Sequence, residues 1–388
     1  MKPITVLVAC ATALTLVACG QARGSDESSV VGVTDDTVRL GMTAPLTGPG
    51  ASYSGFAKGM QAYFAKVNAD GGIHGRKIDL IVRDDAYDPA KTVTETSRLV
   101  KSDEVLAVVG GVGGATQSAV AATNNRDEIP TLLAITGLDA LVDPPMPFVS
   151  IMQPTYGMES ALWIDYIERI HPGAKVGLLY QNDNSGKTVD AALTLAFAGR
   201  YASEGYGTTD ADVSTQITAL RQAGVDVLLF ASAPKFATQG LLAIERLGWN
   251  VPTLVSSVGY DSSVATNAGG AADGVVSALS VRPYQDESDP VVKAANDIVR
   301  QYGERVEPNQ WTMVGIANAT ILASVLEDAG EDLNRETLME AHDSLTLDDG
   351  PWFGSVELSP TDRVALGCFE LVTIENGSHK ALGEPVCS

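Results

Sequence analysis

Residues 105–125 read VLAVVGGVGGATQSAVAATNN, and this stretch decides the fold. It opens with an apolar run, Val105-Leu106-Ala107-Val108-Val109, of the length and composition of a strand buried on both faces of a parallel sheet. A glycine loop follows, Gly110-Gly111-Val112-Gly113-Gly114, and Thr116 is then placed to cap a helix whose Ala119, Val120 and Ala122 face inward. The loop therefore joins the carboxyl end of a strand to the amino end of a helix, the position at which open α/β sheets bind ligands. Uncovered backbone N–H groups and the helix dipole, about half a positive charge, could hold a small anionic or carbonyl group there without a cationic side chain. A tight turn that binds nothing fits the same letters.

Three other glycine-loop chemistries fail on their residues. A dinucleotide fingerprint needs a third glycine where Thr116 stands and an acid about 20 positions on, where the chain has Leu132-Leu133-Ala134. No Gly-Lys-Ser/Thr follows for a P-loop, and no Gly-x-Ser-x-Gly occurs for a nucleophile elbow.

Outward from the loop, strands and helices alternate. Residues 38–42 form a first strand that delivers the loop TAPLTGPGASY, residues 43–53. Phe56, Met60, Tyr63, Phe64 and Val67 recur at helical spacing as core. Residues 77–83 are a second strand, Asp88-Pro89 opens a second helix, and 129–135 is a fourth strand ending at Thr136-Gly137. Such βαβαβ order means a parallel sheet with right-handed crossovers. After Pro144, Pro145 and Pro147, residues 148–154 read as a crossing to a second α/β series. That series comprises helices 156–170, 188–202, 215–223 and 236–247, with strands 175–180, 226–230, 253–256 and 275–281. Arg282-Pro283-Tyr284 reads as a second crossing, followed by helices 290–302, 310–328 and 335–344, the last capped by Asn334. Residues 352–358 return to the first lobe's edge, and 364–374 join the second. Three crossings make a hinge about which two rigid bodies can close on a ligand.

The phrases PLTGPGASY, VNADGGIHGRKI and DDAYDP, followed by LAVVGGVGGATQSAV, resemble the first lobe of periplasmic substrate-binding proteins of the leucine/isoleucine/valine type, and looser matching extends over residues 34–373. The resemblance implies the type I periplasmic-binding-protein fold: two Rossmann-like α/β lobes with parallel sheets, joined by a three-segment hinge. Residues 35–153 and 284–358 would form lobe 1, and 154–283 and 359–388 lobe 2. It also implies a solute receptor, not an enzyme, that hands a small molecule to an ABC permease. The alternative is a sensory receptor of the same fold coupled to a signalling partner. Carried over from the family, the ligand-binding positions are Ser52, Tyr53, Gly113, Gly114, Ala115, Thr116, Ile135, Thr136 and Gly137 in lobe 1. In lobe 2 they are Ser185, Ala233, Ser257 and Val258, with Tyr260 and Asp261 just beyond. Amino-acid binders of the family carry loop hydroxyls for the α-carboxylate and an acid for the α-ammonium. Here Gly113, Gly114 and Ala115 replace the hydroxyls, and Ser257 and Val258 stand near the acid's place. An unpaired buried ammonium costs several kcal/mol, so the expected ligand is a small carboxylate or amide rather than a zwitterion, unless Asp261 or Asp183 reaches in.

The 388 residues suffice for two domains, and a net charge of −22 argues against nucleic acid or an anionic membrane surface as the main partner. After Lys2, residues 4–17 form an apolar run ending in Leu16-Val17-Ala18-Cys19, which looks like a bacterial lipoprotein signal whose Cys19 becomes the lipidated first residue. A plain signal peptide containing a cysteine fits as well. Residues 1–18 are the expected signal and 19–34 a tether, which places the fold outside the cytoplasm, anchored to a bacterial membrane as an expected monomer. Cys10 leaves with the signal and Cys19 takes lipid, so Cys368 and Cys387 remain and are expected to pair in an oxidising compartment. A zinc site would need more ligands than these two and His379. No cofactor or metal is expected, and none of His74, His171, His342 and His379 lies in a nucleophile or metal motif.

Overall fold

A computed structural model of the chain describes residues 30–387, so the expected signal, Cys19 and most of the tether lie outside the described residues. The first lobe begins with β1 (Thr37–Ala44), α1 (Ser54–Ala69), β2 (Lys77–Asp84), α2 (Pro89–Lys101), β3 (Ala107–Val109), α3 (Gly114–Arg126), β4 (Thr131–Ala134) and β5 (Val149–Ile151). The second contains α4 (Tyr156–Ile170), β6 (Val176–Gln181), α5 (Asn184–Ala196), β7 (Tyr201–Tyr206), α6 (Ser214–Gln222), β8 (Val227–Ala231), α7 (Pro234–Arg246), β9 (Thr253–Val255), α8 (Ser262–Ala268) and β10 (Val276–Leu279). Helices α9 (Pro290–Tyr302), α10 (Gln310–Asp328) and α11 (Arg335–His342) pack back on the first lobe. Then follow β11 (Thr346–Leu347), β12 (Val356–Glu357), β13 (Cys368–Glu375), β14 (Ser378–Ala381) and β15 (Val386–Cys387).

The first sheet runs β2-β1-β3-β4-β5, all parallel. The second runs β14-β13-β10-β9-β8-β6-β7, parallel from β10 to β7, with β13 antiparallel against β10 and β15 paired to β13. Helix α10 is buried on almost every side, as its near-continuous apolar sequence requires. It crosses α1 at two glycines: a Cβ on Gly59 would lie 2.3 Å from Thr312 O, and one on Gly315 2.2 Å from Phe56 O. Backbones approach so closely only where neither helix carries a side chain.

Two expectations need correction, and two features are new. The helix expected over 188–202 ends at Ala196, Gly199 turns the chain at φ 82°, and Tyr201–Tyr206 forms β7. As a half-buried edge strand, β7 has no apolar alternation to reveal it. Helix α8 was not foreseen. Residues 352–358 join neither main sheet; β12 pairs with β11 in a two-stranded sheet of its own. Helix α3 starts at Gly114, with Gly113 rather than Thr116 at its N-cap, and buries Gln117, Val120, Ala121 and Asn124, leaving Ala119 and Ala122 exposed.

The crossings lie side by side. Ile151 N–H donates to Arg363 O at 2.9 Å, Ala365 N–H to Ile151 O at 3.0 Å and Leu366 N–H to Met152 O at 2.9 Å, so the first and third crossings run as a parallel ribbon. The His342 ring, fully buried, meets Ser150 Oγ at 2.9 Å and Asp343 Oδ1 at 2.8 Å, and Arg363 clamps Asp343 from the third crossing. The second crossing is held by Arg282 N–H on Pro351 O at 3.0 Å. Cys368 and Cys387 form a disulfide that ties the C-terminal tail to β13.

Candidate ligand-binding cleft

The carboxyl ends of both sheets face each other across the hinge, and between them lies a cavity of about 40 Å³. Its walls are Tyr53 and Tyr87 from the first lobe, Tyr156 at the start of α4, and Gln181, Asp183, Ser185, Gly186, Val189, Ala231, Ser232, Ala233, Ser256 and Val258 from the second. Of the positions expected from the sequence, the cavity therefore gathers Tyr53, Ser185, Ala233 and Val258.

Tyr53 ends a short 3₁₀ turn, Ala51–Tyr53, and stands edge-on to Trp311 with ring centroids 4.8 Å apart. Its hydroxyl donates across the cleft to Val258 O at 3.3 Å. The neighbouring Ser52 hydroxyl is buried with no hydrogen-bond partner among the described residues, and it is not part of the wall. Tyr87 is set by the DDAYDP phrase. Asp84 accepts from Leu46 N–H at 3.0 Å and Thr47 Oγ1 at 2.6 Å, pinning the first loop. Asp85 accepts from Tyr87 N–H at 2.9 Å, Asp88 caps α2, and Ala86 and Tyr87 take left-handed backbone angles, φ 52° and 60°. Two adjacent acids around an aromatic at a strand's end are the signal that could have marked Tyr87.

The glycine loop is covered rather than open. A Cβ on Gly113 would lie 2.6 Å from Tyr87 Cε2, and one on Gly114 2.0 Å from Ser185 Oγ. Gly113, Gly114, Ala115 and Thr116 thus sit behind Tyr87 and Ser185 and do not line the cavity. Thr116 turns its hydroxyl onto Val112 O and, at 2.8 Å, Gly113 O. Ile135, Thr136 and Gly137 act one layer out. Gly137 O accepts from Tyr156 N–H at 2.6 Å and so seats the Tyr156 ring. Upstream, Leu133 is held at φ 56° in a register shift of the β4–β5 pair, with its N–H on Ser150 Oγ at 3.0 Å and its C=O accepting from Asn318 Nδ2 at 2.8 Å. That left-handed leucine re-aims the end of β4, and the two side chains satisfy the backbone groups it frees.

In the second lobe Ser257 turns away from the cavity. Its N–H and hydroxyl donate to the buried Glu159 carboxylate at 2.6 and 3.0 Å, and Trp163 Nε1 adds a third bond at 3.2 Å. Burial raises the Glu159 pKa, against the pull of these donors. Asp261 is no cleft acid either. It caps α8 through Ser263 and Val264 N–H and accepts from Trp311 Nε1 at 3.0 Å, a contact between the lobes. Tyr260 packs against His379, with ring centroids 5.3 Å apart, away from the cavity.

The acid that does reach the cavity is Asp183. As N-cap of α5 it accepts from Gly186 N–H at 3.0 Å and from Gln181 Nε2 at 2.6 Å, so neutral donors alone hold it. No Lys, Arg or His shares the wall. Burial pushes the Tyr156 phenol up to about 12 and raises those of Tyr53, Tyr87 and Tyr206, so the phenols stay neutral. Among the described residues Ser256 Oγ is buried with no hydrogen-bond partner, while Ser185 Oγ and Ser232 Oγ lie beside the Tyr156 and Tyr206 phenols without well-formed bonds. Tyr206, behind the wall, accepts from Ala233 N–H at 2.9 Å. The site can thus offer one negative charge, aromatic faces and serine hydroxyls to a small molecule, with no nucleophile–base pair among them.

Known proteins carry the same architecture. An amino acid binding protein of Pseudomonas aeruginosa is 27% identical over 316 residues, spanning 78% of this chain and 82% of that one. A fatty acid ABC transporter substrate-binding protein from Thermomonospora curvata superimposes with a TM-score of 0.83 at 25% identity, covering 92% of this chain and 94% of the other. A branched chain amino acid ABC transporter structure from Thermus thermophilus with bound valine gives a TM-score of 0.82 at 18% identity over 92% and 98%, a likeness of fold. Residues 37–379 match the model of the periplasmic binding protein family, and together with the two parallel-sheet lobes and the cleft between them this shows that the chain belongs to that family, with its type I fold.

Proposed function

We propose that this chain is an extracytoplasmic receptor, anchored through Cys19, that closes on a small amine-bearing organic molecule, in the simplest case an α-amino acid, and delivers it to an ABC importer. The observation that supports the ligand class is Asp183, the one charged side chain in the cavity wall. The expectation of a carboxylate or amide ligand made an exception for Asp183 or Asp261 reaching in, and Asp183 in the wall is that exception. Asp183 would pair with the ammonium while Tyr53, Tyr87 and Tyr156 offer ring faces to the same charge, an arrangement worth about 0.5–2 kcal/mol per cation–π contact. The hydroxyls of Ser185, Ser232 and Ser256 remain for the acid or carbonyl end. Asp183 in the wall opposes a lone carboxylate, a fatty acid's included.

Calorimetry with an amino acid and its deamino analogue of the same side chain tests this. Binding of the amino acid should be at least tenfold tighter, about 1.4 kcal/mol, and the advantage should vanish in Asp183→Asn. Asparagine still caps a helix, so that variant keeps α5 in place. Tighter binding of the deamino acid by the wild-type protein would refute the proposal. For the anchor, Cys19→Ala should move the protein from the membrane fraction to the soluble extracytoplasmic fraction; persistence in the membrane would mean another attachment.

A further inference from the structure

We infer that Trp311 and Asp261, one from each lobe, form a latch that sets the receptor's affinity without touching the ligand. The inference rests on reading the inter-lobe cavity as the ligand site. Trp311 is the second residue of α10, in the first lobe, and Asp261 is the N-cap of α8, in the second. The two carboxylate oxygens of Asp261 have separate partners. Oδ1 accepts from Ser263 N–H at 2.7 Å, from Val264 N–H at 3.2 Å and from the Ser263 hydroxyl, all within its own lobe. Oδ2 accepts from Trp311 Nε1 at 3.0 Å, from the other lobe. Both residues are buried, Asp261 at 3% and Trp311 at 4% exposure, and neither lines the cavity. Separating the lobes would return both groups to water, so their bond counts only in the closed state. Closure takes the carboxylate out of water, for which burial raises the Asp261 pKa, and the indole N–H is the donor that closure adds in return.

The latch holds a rigid part of the second lobe. Trp311 stands edge-on to Tyr53, whose hydroxyl donates to Val258 O, so an aromatic pair of the first lobe grips residues 258–261 at both ends. Gly259 N–H on Ser256 O at 2.9 Å and Ser257 N–H on Glu159 at 2.6 Å fix that loop to its own lobe. Rotation of Asp261 away from the indole would break its cap on α8, so the side chain cannot yield cheaply. Because the bond acts on the closed state and not on the ligand, every ligand that needs closure gains by the same factor.

The test is calorimetry with glycine, alanine, valine and leucine on wild type, Trp311→Phe, Asp261→Asn and the double variant, with thermal melts to establish that each is folded. Phenylalanine keeps a ring beside Tyr53 and removes the donor. Asparagine keeps the cap through its Oδ1 and so turns its NH₂ toward the indole N–H, setting two donors face to face in the closed state alone. Each single variant should weaken every amino acid that binds by about tenfold, about 1.4 kcal/mol, with one factor common to the set. The double variant should lose less than the product of the two single losses, because phenylalanine removes the donor that the asparagine amide opposes. Unchanged affinity in Asp261→Asn, losses that differ tenfold between ligands, or losses that multiply in the double variant would overturn the inference. Should no amino acid bind the wild-type chain, the ligand class proposed above falls, and small-angle scattering of the ligand-free proteins decides the latch: Asp261→Asn should have a larger radius of gyration than wild type, and equal radii would overturn it.

Discussion

Glu159 sits in the first turn of α4 at 2% exposure and holds the Ser257 loop that forms one wall of the cleft. Its carboxylate accepts three bonds, from Ser257 N–H, Ser257 Oγ and Trp163 Nε1. Replacing it by glutamine preserves the shape. The amide oxygen can keep the bonds from Ser257 N–H and the indole, and the new NH₂ can donate to Ser257 Oγ, so Glu159→Gln should change stability by no more than about 1 kcal/mol. Alanine instead strands a buried backbone N–H and an indole N–H, about 1–3 kcal/mol each, and leaves a void, so Glu159→Ala should cost about 3–5 kcal/mol. The pH dependence has a definite sign. Burial raises the carboxyl pKa in the fold above its ordinary value of 4.5, so the folded state holds the proton more tightly than the unfolded one. This contribution is fully present below the ordinary carboxyl range and is lost as pH rises through the folded value. Urea unfolding across pH 4 to 8 should therefore show wild type losing ground to Glu159→Gln as pH increases. The reasoning fails if Glu159→Gln is as destabilised as Glu159→Ala, or if its difference from wild type does not move with pH.

Two further outcomes follow from the same physics. Burial lowers the His342 pKa below its ordinary 6.5, so the unfolded chain takes up a proton that the folded chain refuses. That residue's share of stability should be full above pH 6.5 and fall as pH drops through it, a slope that His342→Gln should reduce in the same urea titration. Denatured, unreduced mature protein should show no titratable thiol from Cys368 or Cys387, and Cys387→Ser should cost about 2–4 kcal/mol in thermal unfolding by releasing the tail from β13.

The order of strands and helices was legible because period and punctuation are local. Pro89 behind Asp88, Pro290 and Asn334 marked helix starts that the structure places where the sequence puts them, and the apolar run before Gly110 announced β3. The edge strand Tyr201–Tyr206 was hidden because an edge buries little and need not alternate. The cleft was legible only in part. Tyr53, Ser185, Ala233 and Val258 could be named because the family resemblance carries its ligand positions onto them, and all four line the cavity. Which atoms line the cavity depends on where each neighbour's hydrogen bonds go, and that is set by residues distant in sequence. Glu159, 98 positions away, turns Ser257 from the cavity, and Trp311, 50 positions beyond Asp261, takes up the acid that stood as the candidate counter-ion. The two α/β series and the glycine loop are properties of the chain alone. That Asp183 is the charge in the cleft, and that Ser185 comes to cover Gly114 from the other lobe, were decided only when folding brought the two helix starts together, since a cross-lobe contact leaves no periodicity in either segment.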